Sequence, residues 1–167
     1  LMESLLTLED SVGDIDKYAA KELGYKSVAE LHYGAGNGNG LMGLQVDSVA
    51  SAIYQIKEKN KGIIIADQTG IGKGRQAAAI IRWAILNGHT PIFVTVKPQL
   101  FTDMYGDLAD IGSNNVKPFI INSNGYIAGK DGKKLFGNKS TTHKNNILKS
   151  IATGELPEGS NAVFLTY

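Results

Sequence analysis

Gly62-Ile-Ile-Ile-Ala-Asp67-Gln-Thr-Gly-Ile-Gly-Lys-Gly74 is the stretch on which the fold turns. Residues 62–67 are a short β-branched run bounded by turn formers, the pattern of a buried parallel strand. A glycine-rich turn, Gln68–Gly72, comes next. Residues 73–86 then run through Ala, Ile and Arg with no breaker after Gly74, which predicts a helix stopping at Asn87-Gly88. Strand, glycine turn and helix in that order make the frame of a phosphate-binding loop. Glycines let backbone N–H groups curl around an anion, and the helix N-terminus adds partial positive charge. Gly70 and Gly72 stand where side chains would block that cradle, and Lys73 is placed to reach the terminal phosphates as the candidate catalytic residue. The strict G-x-x-x-x-G-K-[ST] pattern fails twice. Asp67 stands for the first glycine, and Gly74 for the hydroxyl residue that ordinarily holds magnesium.

Outward from this loop, strand and helix patterns alternate. Upstream, Val46, Val49, Ala50, Ile53 and Ile56 mark one face of a helix ending near Asn60. Downstream, residues 91–96 predict a second buried strand. Leu100, Met104, Leu108 and Ile111 give a helical stripe closed by Gly112, and residues 118–121 a third strand. Asp131-Gly132 predicts a hairpin with a type I′ turn within 126–136. A last helix ends at Gly154, and residues 162–167 form a strand. The alternation implies a parallel, doubly wound α/β sheet. Before it lies a helical extension, residues 1–40: Asp14 caps one helix that Gly24 ends, and Ser27-Val-Ala-Glu30 opens another as a capping box. Gly34–Gly40 reads as a linker, too free in its backbone for regular structure.

Composition narrows the functional classes. The 167 residues are 43% hydrophobic and 20% charged, the balance of a globular domain. The chain contains no cysteine, which excludes disulfides, thiolate metal sites and a Cys nucleophile. No apolar run is long enough to span a membrane, and Leu1–Thr7 is too short and acidic for a signal peptide, so a soluble intracellular protein is expected. The net charge of +1 conceals an asymmetry: residues 1–60 carry −4 and residues 61–167 carry +5. Seven lysines between Lys117 and Ser150 face only Asp131, a field able to attract a polyanion or simply to solubilise the chain.

Thr69-Gly-Ile-Gly-Lys73 is similar to motif I of superfamily 2 helicases and translocases. The longer run Ala66–Arg75, ending Gly-Lys-Gly-Arg, resembles more specifically the Strawberry notch helicase family, and residues 41–167 also fit the helicase portions of phage methylase–helicase proteins. Leu44-Gln45-Val46-Asp47 resembles the Q motif, whose glutamine reads the adenine edge. Phe93-Val-Thr-Val-Lys97 with Asp107-Leu-Ala-Asp-Ile-Gly112 resembles motif Ia and its following helix. Phe164-Leu-Thr-Tyr167 resembles the strand leading to the next DNA-contacting motif. The resemblance implies a RecA-like P-loop lobe over residues 41–167, incomplete at its C-terminal side. It implies ATP and Mg2+ as ligands, nucleic acid as partner (DNA ahead of RNA), and the rest of a parent motor. Nucleotide contacts then fall to Gln45, Gln68, Thr69, Gly70, Ile71, Gly72, Lys73, Gly74 and Arg75. No Asp-Glu dipeptide occurs in the chain, so the motif II carboxylates and the second lobe are expected elsewhere in the parent, with this part inactive alone. A cytoplasmic or, in a eukaryote, nuclear location follows.

Beyond the loop, Lys97 follows a strand end, where parallel sheets bind ligands. Lys97 and the hairpin lysines Lys130, Lys133 and Lys134 are the candidate nucleic-acid contacts. His89 and His143 have no metal-like partner at i+4 and read as solvated, so no residue is assigned to a metal. Trp83 shares an apolar stripe with Ile80 and Leu86 and reads as core. The competing function is a non-catalytic nucleic-acid-binding or assembly module with a structural P-loop.

Overall fold

Asp14 and Ser27 act as the helix caps their sequence context predicts, accepting hydrogen bonds from the backbone N–H of Lys17 at 2.9 Å and of Glu30 at 3.1 Å. They open α2 (Ile15–Glu22) and α3 (Val28–Tyr33), which follow α1 (Met2–Val12). The computed structural model describes residues 2–34, 40–66, 70–122, 125–129, 131–137 and 140–167, so residues 35–39 of the expected linker lie outside the described residues. Gly40 beyond them is buried, and Leu41 donates its N–H back to the Leu31 carbonyl at 2.8 Å.

α4 (Gly43–Lys59) buries Val46, Val49, Ala50 and Ile53, the face its periodicity marks, and ends on Asn60 with φ +52°. α1 and α2 pack on it from one side and α5 (Lys73–Leu86) from another. Glu22, in α2, joins α4 and α5, accepting from Lys57 Nζ at 2.7 Å and from Trp83 Nε1 at 3.1 Å. α6 (Leu100–Asp110) packs against α5 and buries Phe101, Met104 and Leu108. Arg82 secures the far end. Its Nε donates to the Leu23 carbonyl at 2.7 Å and its Nη1 to the Gly112 carbonyl at 3.2 Å, while the guanidinium lies 4.4 Å from the Tyr25 ring centroid. It thereby satisfies carbonyls beyond the C-termini of α2 and α6, which the helices leave open.

The main sheet is parallel, with β5 (Ala162–Thr166) between β1 (Ile92–Thr95) and β2 (Pro118–Ile120). Phe93 pairs with Phe164 and Phe119 with Val163. Phe93, Phe101 and Phe164 meet at centroid distances of 5.1–6.5 Å and fasten the sheet to α6. Each such ring, when fully buried, contributes about 2–3 kcal/mol. Asn122 closes the strand ends by exchanging two hydrogen bonds with Thr166, at 2.7 and 2.9 Å. β3 (Tyr126–Ala128) and β4 (Lys134–Gly137) form the expected hairpin, seated on α6 by Tyr105 against Phe136. α7 (Ser140–Thr153) leads back to β5.

Three expectations are corrected. Residues 62–66 form no strand, because their backbone groups hydrogen-bond to no described residue; a β-branched run favours extended backbone, but a strand needs a partner. Ile64 is 90% exposed there. β1 is not buried on both faces: Ile92 and Val94 are exposed, as is Val96 just beyond it, whereas a strand of a doubly wound sheet is expected to be covered on both sides. In the hairpin, Gly132 donates to the Gly129 carbonyl and Gly129 to the Lys133 carbonyl, with Gly132 at φ +75°. That pairing leaves three residues in the loop, a bulged turn rather than the two-residue I′ form.

Candidate nucleotide-binding site

Two glycines with positive φ, Gly70 at +96° and Gly72 at +78°, shape the end of the loop before α5. Gly72 caps α5 in the left-handed conformation, Gly74 follows as its second residue, and Lys73 is its first, with an exposed side chain. Helix and lysine stand at the 73–86 boundaries the sequence predicts. Asp67, Gln68 and Thr69 lie outside the described residues.

A buried amide holds the loop in place. Gln45, only 2% exposed, donates from Nε2 to the Ile71 carbonyl at 2.8 Å and accepts on Oε1 from the Met42 N–H at 3.0 Å. A Cβ at Gly72 would collide with Gln45 Nε2, so glycine is required there by space as well as by φ. The Gln45 amide is thus committed twice within the chain, which leaves one Nε2 hydrogen and one Oε1 lone pair for any further contact. Arg75 is likewise committed: Nη2 pairs with Asp110 Oδ2 at 2.9 Å and Nη1 donates to the Gly40 carbonyl at 3.4 Å. It locks α5 to α6 and to the entry of α4. Ile71 faces a cleft of about 770 Å³ between α1, α4 and residues 62–66, lined chiefly by Leu5, Leu8, Leu44 and Ile63.

Sequence reading missed the acidic edge of this site. Asp103, Asp107 and Asp110 recur along α6, and Asp107 Oδ2 fills the space a Cβ at Gly74 would need. Burial pushes the Asp107 carboxyl above its usual range; Asp110 and Asp103 push the same way, and Arg75 opposes them. The signal was an i, i+4, i+7 row of acids on one helix face. What they face depends on helix packing.

The basic candidates are separate from the loop in sequence. Lys97 is exposed just beyond the C-terminal end of β1. Lys133 is exposed and 3.4 Å from Asp131, and Lys134 lies over the Tyr126 ring at 5.9 Å. Lys130 is outside the described residues. Among the described residues no three His, Cys, Asp or Glu side chains gather as a metal site, and no helix is long and apolar enough to cross a membrane.

Curated relatives point the same way as the loop. Over 131 residues the chain is 26% identical to the protein strawberry notch of Drosophila melanogaster, covering 75% of this chain and 8% of that protein. Over 98 residues it is 30% identical to the protein strawberry notch homolog of Caenorhabditis elegans, covering 58% of this chain and 5% of that one. The chain thus spans less than a tenth of either relative. No solved structure matches it. Residues 18–166, from within α2 to the end of β5, match the family described as P-loop containing NTP hydrolase pore-1, and the chain belongs to that family.

Proposed function

We propose that this chain is the nucleotide-binding part of an ATP-dependent helicase or translocase acting on nucleic acid, DNA ahead of RNA. The observation that carries the reading is the glycine pair at the head of α5, with Lys73 exposed as the first helical residue. This arrangement offers a phosphate chain backbone N–H groups, the positive end of a 14-residue helix and a flexible ammonium. Gln68, Thr69 and the 70–74 backbone would line the phosphates, while Gln45 and Arg75 hold the loop and its helix in register. Lys73 would offset charge developing on the phosphates during hydrolysis. Mg2+, when bound, would neutralise the β- and γ-phosphate oxygens.

In this reading residues 41–167 are part of a RecA-like lobe, residues 1–40 are its helical extension, and residues 62–66 become a strand when further parts of the parent protein pair with them. The absent hydroxyl at Gly74 favours the second reading, a P-loop kept only as structure in a nucleic-acid-binding or assembly module. Nucleic-acid-stimulated ATPase of the full-length protein separates the two. Lys73→Ala is expected to abolish it. Turnover within about threefold of wild type would overturn the motor reading.

A further inference from the structure

At the position after the P-loop lysine, an ordinary loop carries Ser or Thr, whose hydroxyl holds the Mg2+ of the bound nucleotide. Here that position is Gly74, and the volume its side chain would take is filled from another helix. A Cβ at Gly74 would overlap Asp107 Oδ2 and stand 3.2 Å from Asp107 Cγ. The placement is built rather than incidental. Arg75, the neighbour of Gly74, pairs with Asp110 at 2.9 Å, one turn along α6 from Asp107. That ion pair sets the register of α6 on α5 and so sets Asp107 over Gly74.

The Asp107 carboxylate is half-buried and accepts no hydrogen bond from any described residue. Asp103 and Asp110 add negative potential, and Arg75, already paired with Asp110, is the cation that opposes it. An oxygen donor short of positive charge therefore stands where the P-loop hydroxyl is missing. Mg2+ suits such a place, since it keeps several waters and is held by one or two carboxylates together with substrate phosphates. The donor set fits the ion only once phosphates are present.

We infer that Asp107 replaces the absent hydroxyl, holding the nucleotide's Mg2+ by its carboxylate from the α6 side. The inference rests on the nucleotide-binding reading above and adds a ligand to it. Gly74 and Asp107 form one unit: the glycine exists to admit the carboxylate.

The test is binding of a fluorescent ATP analogue to the full-length protein, with Mg2+ and with EDTA. Wild type should bind more tightly with Mg2+. Asp107→Asn should lower that Mg2+ enhancement by roughly tenfold or more. Mn2+ paramagnetic resonance on the nucleotide complex should lose the bound-ion signal in parallel. Gly74→Ser alone should collide with Asp107 and bind poorly. Gly74→Ser with Asp107→Ala makes room for the hydroxyl and should recover most of the enhancement. Thermal melting controls for folding, and the double variant supplies the test where the single one is unstable. A wild-type enhancement in Asp107→Asn would overturn the inference and leave Asp107 as a helix brace. A wild-type protein that binds no nucleotide, with or without metal, would instead overturn the functional reading on which the inference stands.

Discussion

Gln45 Nε2 donates to the carbonyl oxygen of Ile71 at 2.8 Å across 26 positions of sequence, and the same nitrogen occupies the space a Cβ at Gly72 would claim. The phosphate loop is thus held by a side chain from the helix before it. Gln45→Ala removes that bond and the one from the part-exposed Met42 N–H, each worth about 0.5–1.5 kcal/mol net. Urea unfolding should show about 1–3 kcal/mol lost, together with weaker nucleotide binding. Gly72→Ala combines a disfavoured φ with the collision against Gln45. In the double variant the collision disappears, so its cost should fall short of the sum. Strict additivity would show that the two positions do not touch.

Arg82 makes a different prediction because its donors are shared between two helix ends. Arg82→Ala leaves the Leu23 and Gly112 carbonyls without their donor and uncovers the Tyr25 ring. A loss of about 2–4 kcal/mol is expected in thermal or urea unfolding. Arg82→Lys should recover little of it, since one ammonium cannot span carbonyls that a planar fork reaches together. Full recovery by lysine would mean that charge alone matters there.

Helices were legible in the sequence because their signals are local. Asp14, Ser27, Gly24 and Gly112 stop or start helices through bonds within a few residues, and the stripe Met104, Leu108 and Ile111 reports one buried face, with Leu100 at its head left exposed. The parallel strands 92–95, 118–120 and 162–166 were legible for the same reason. Residues 62–66 were not, since an isoleucine run specifies extended backbone while its partner strand decides whether it joins a sheet. Gln45 read as a ligand contact, but its bond to Ile71 is fixed by tertiary packing that no spacing rule contains. Asp107 over Gly74 is further from reach, because it depends on how two helices cross.

Glu22 and His32 place opposite pH limits on the helical extension. Burial raises the Glu22 carboxyl, but hydrogen bonds from Lys57 and Trp83 outweigh it and hold the group below its usual value of 4.5. A lowered folded value gives stability that is present above the unfolded pKa and lost as pH falls through the folded one. Acid unfolding monitored by Trp83 fluorescence should therefore start at higher pH in wild type than in Glu22→Gln measured relative to its own neutral-pH stability. Parallel acid limbs in the two proteins would exclude the carboxylate as the source.

His32 runs the other way. Its Nδ1 meets the Leu41 carbonyl at 2.8 Å and its Nε2 meets Asp16 Oδ2 at 3.1 Å. Both partners are acceptors, so both ring nitrogens are donors only in the imidazolium form. Burial lowers its pKa, yet the Leu41 bond and Asp16 together raise it above 6.5. Stability from this contact is complete below the unfolded value and fades as pH rises through the folded one. As pH rises above 6.5 wild type should lose stability that His32→Asn does not. Equal slopes in that window would show that the ring stays neutral.

The hairpin lysines test whether the basic segment meets nucleic acid. Phosphate contacts release counterions, so each lysine that neutralises a phosphate adds roughly one unit to the log–log salt slope of binding. Lys133 already faces Asp131 at 3.4 Å, and its positive charge is partly offset before any phosphate arrives. Lys134 lies over the Tyr126 ring at 5.9 Å. Replacing Lys130, Lys133 and Lys134 together by Gln should therefore flatten the slope by about two units rather than three. Asp131→Asn should steepen it by up to about one, because it frees Lys133 for a phosphate. The two changes acting in opposite directions are the signature of a phosphate contact at the hairpin. A slope unmoved by either would mean that these charges only keep the surface solvated.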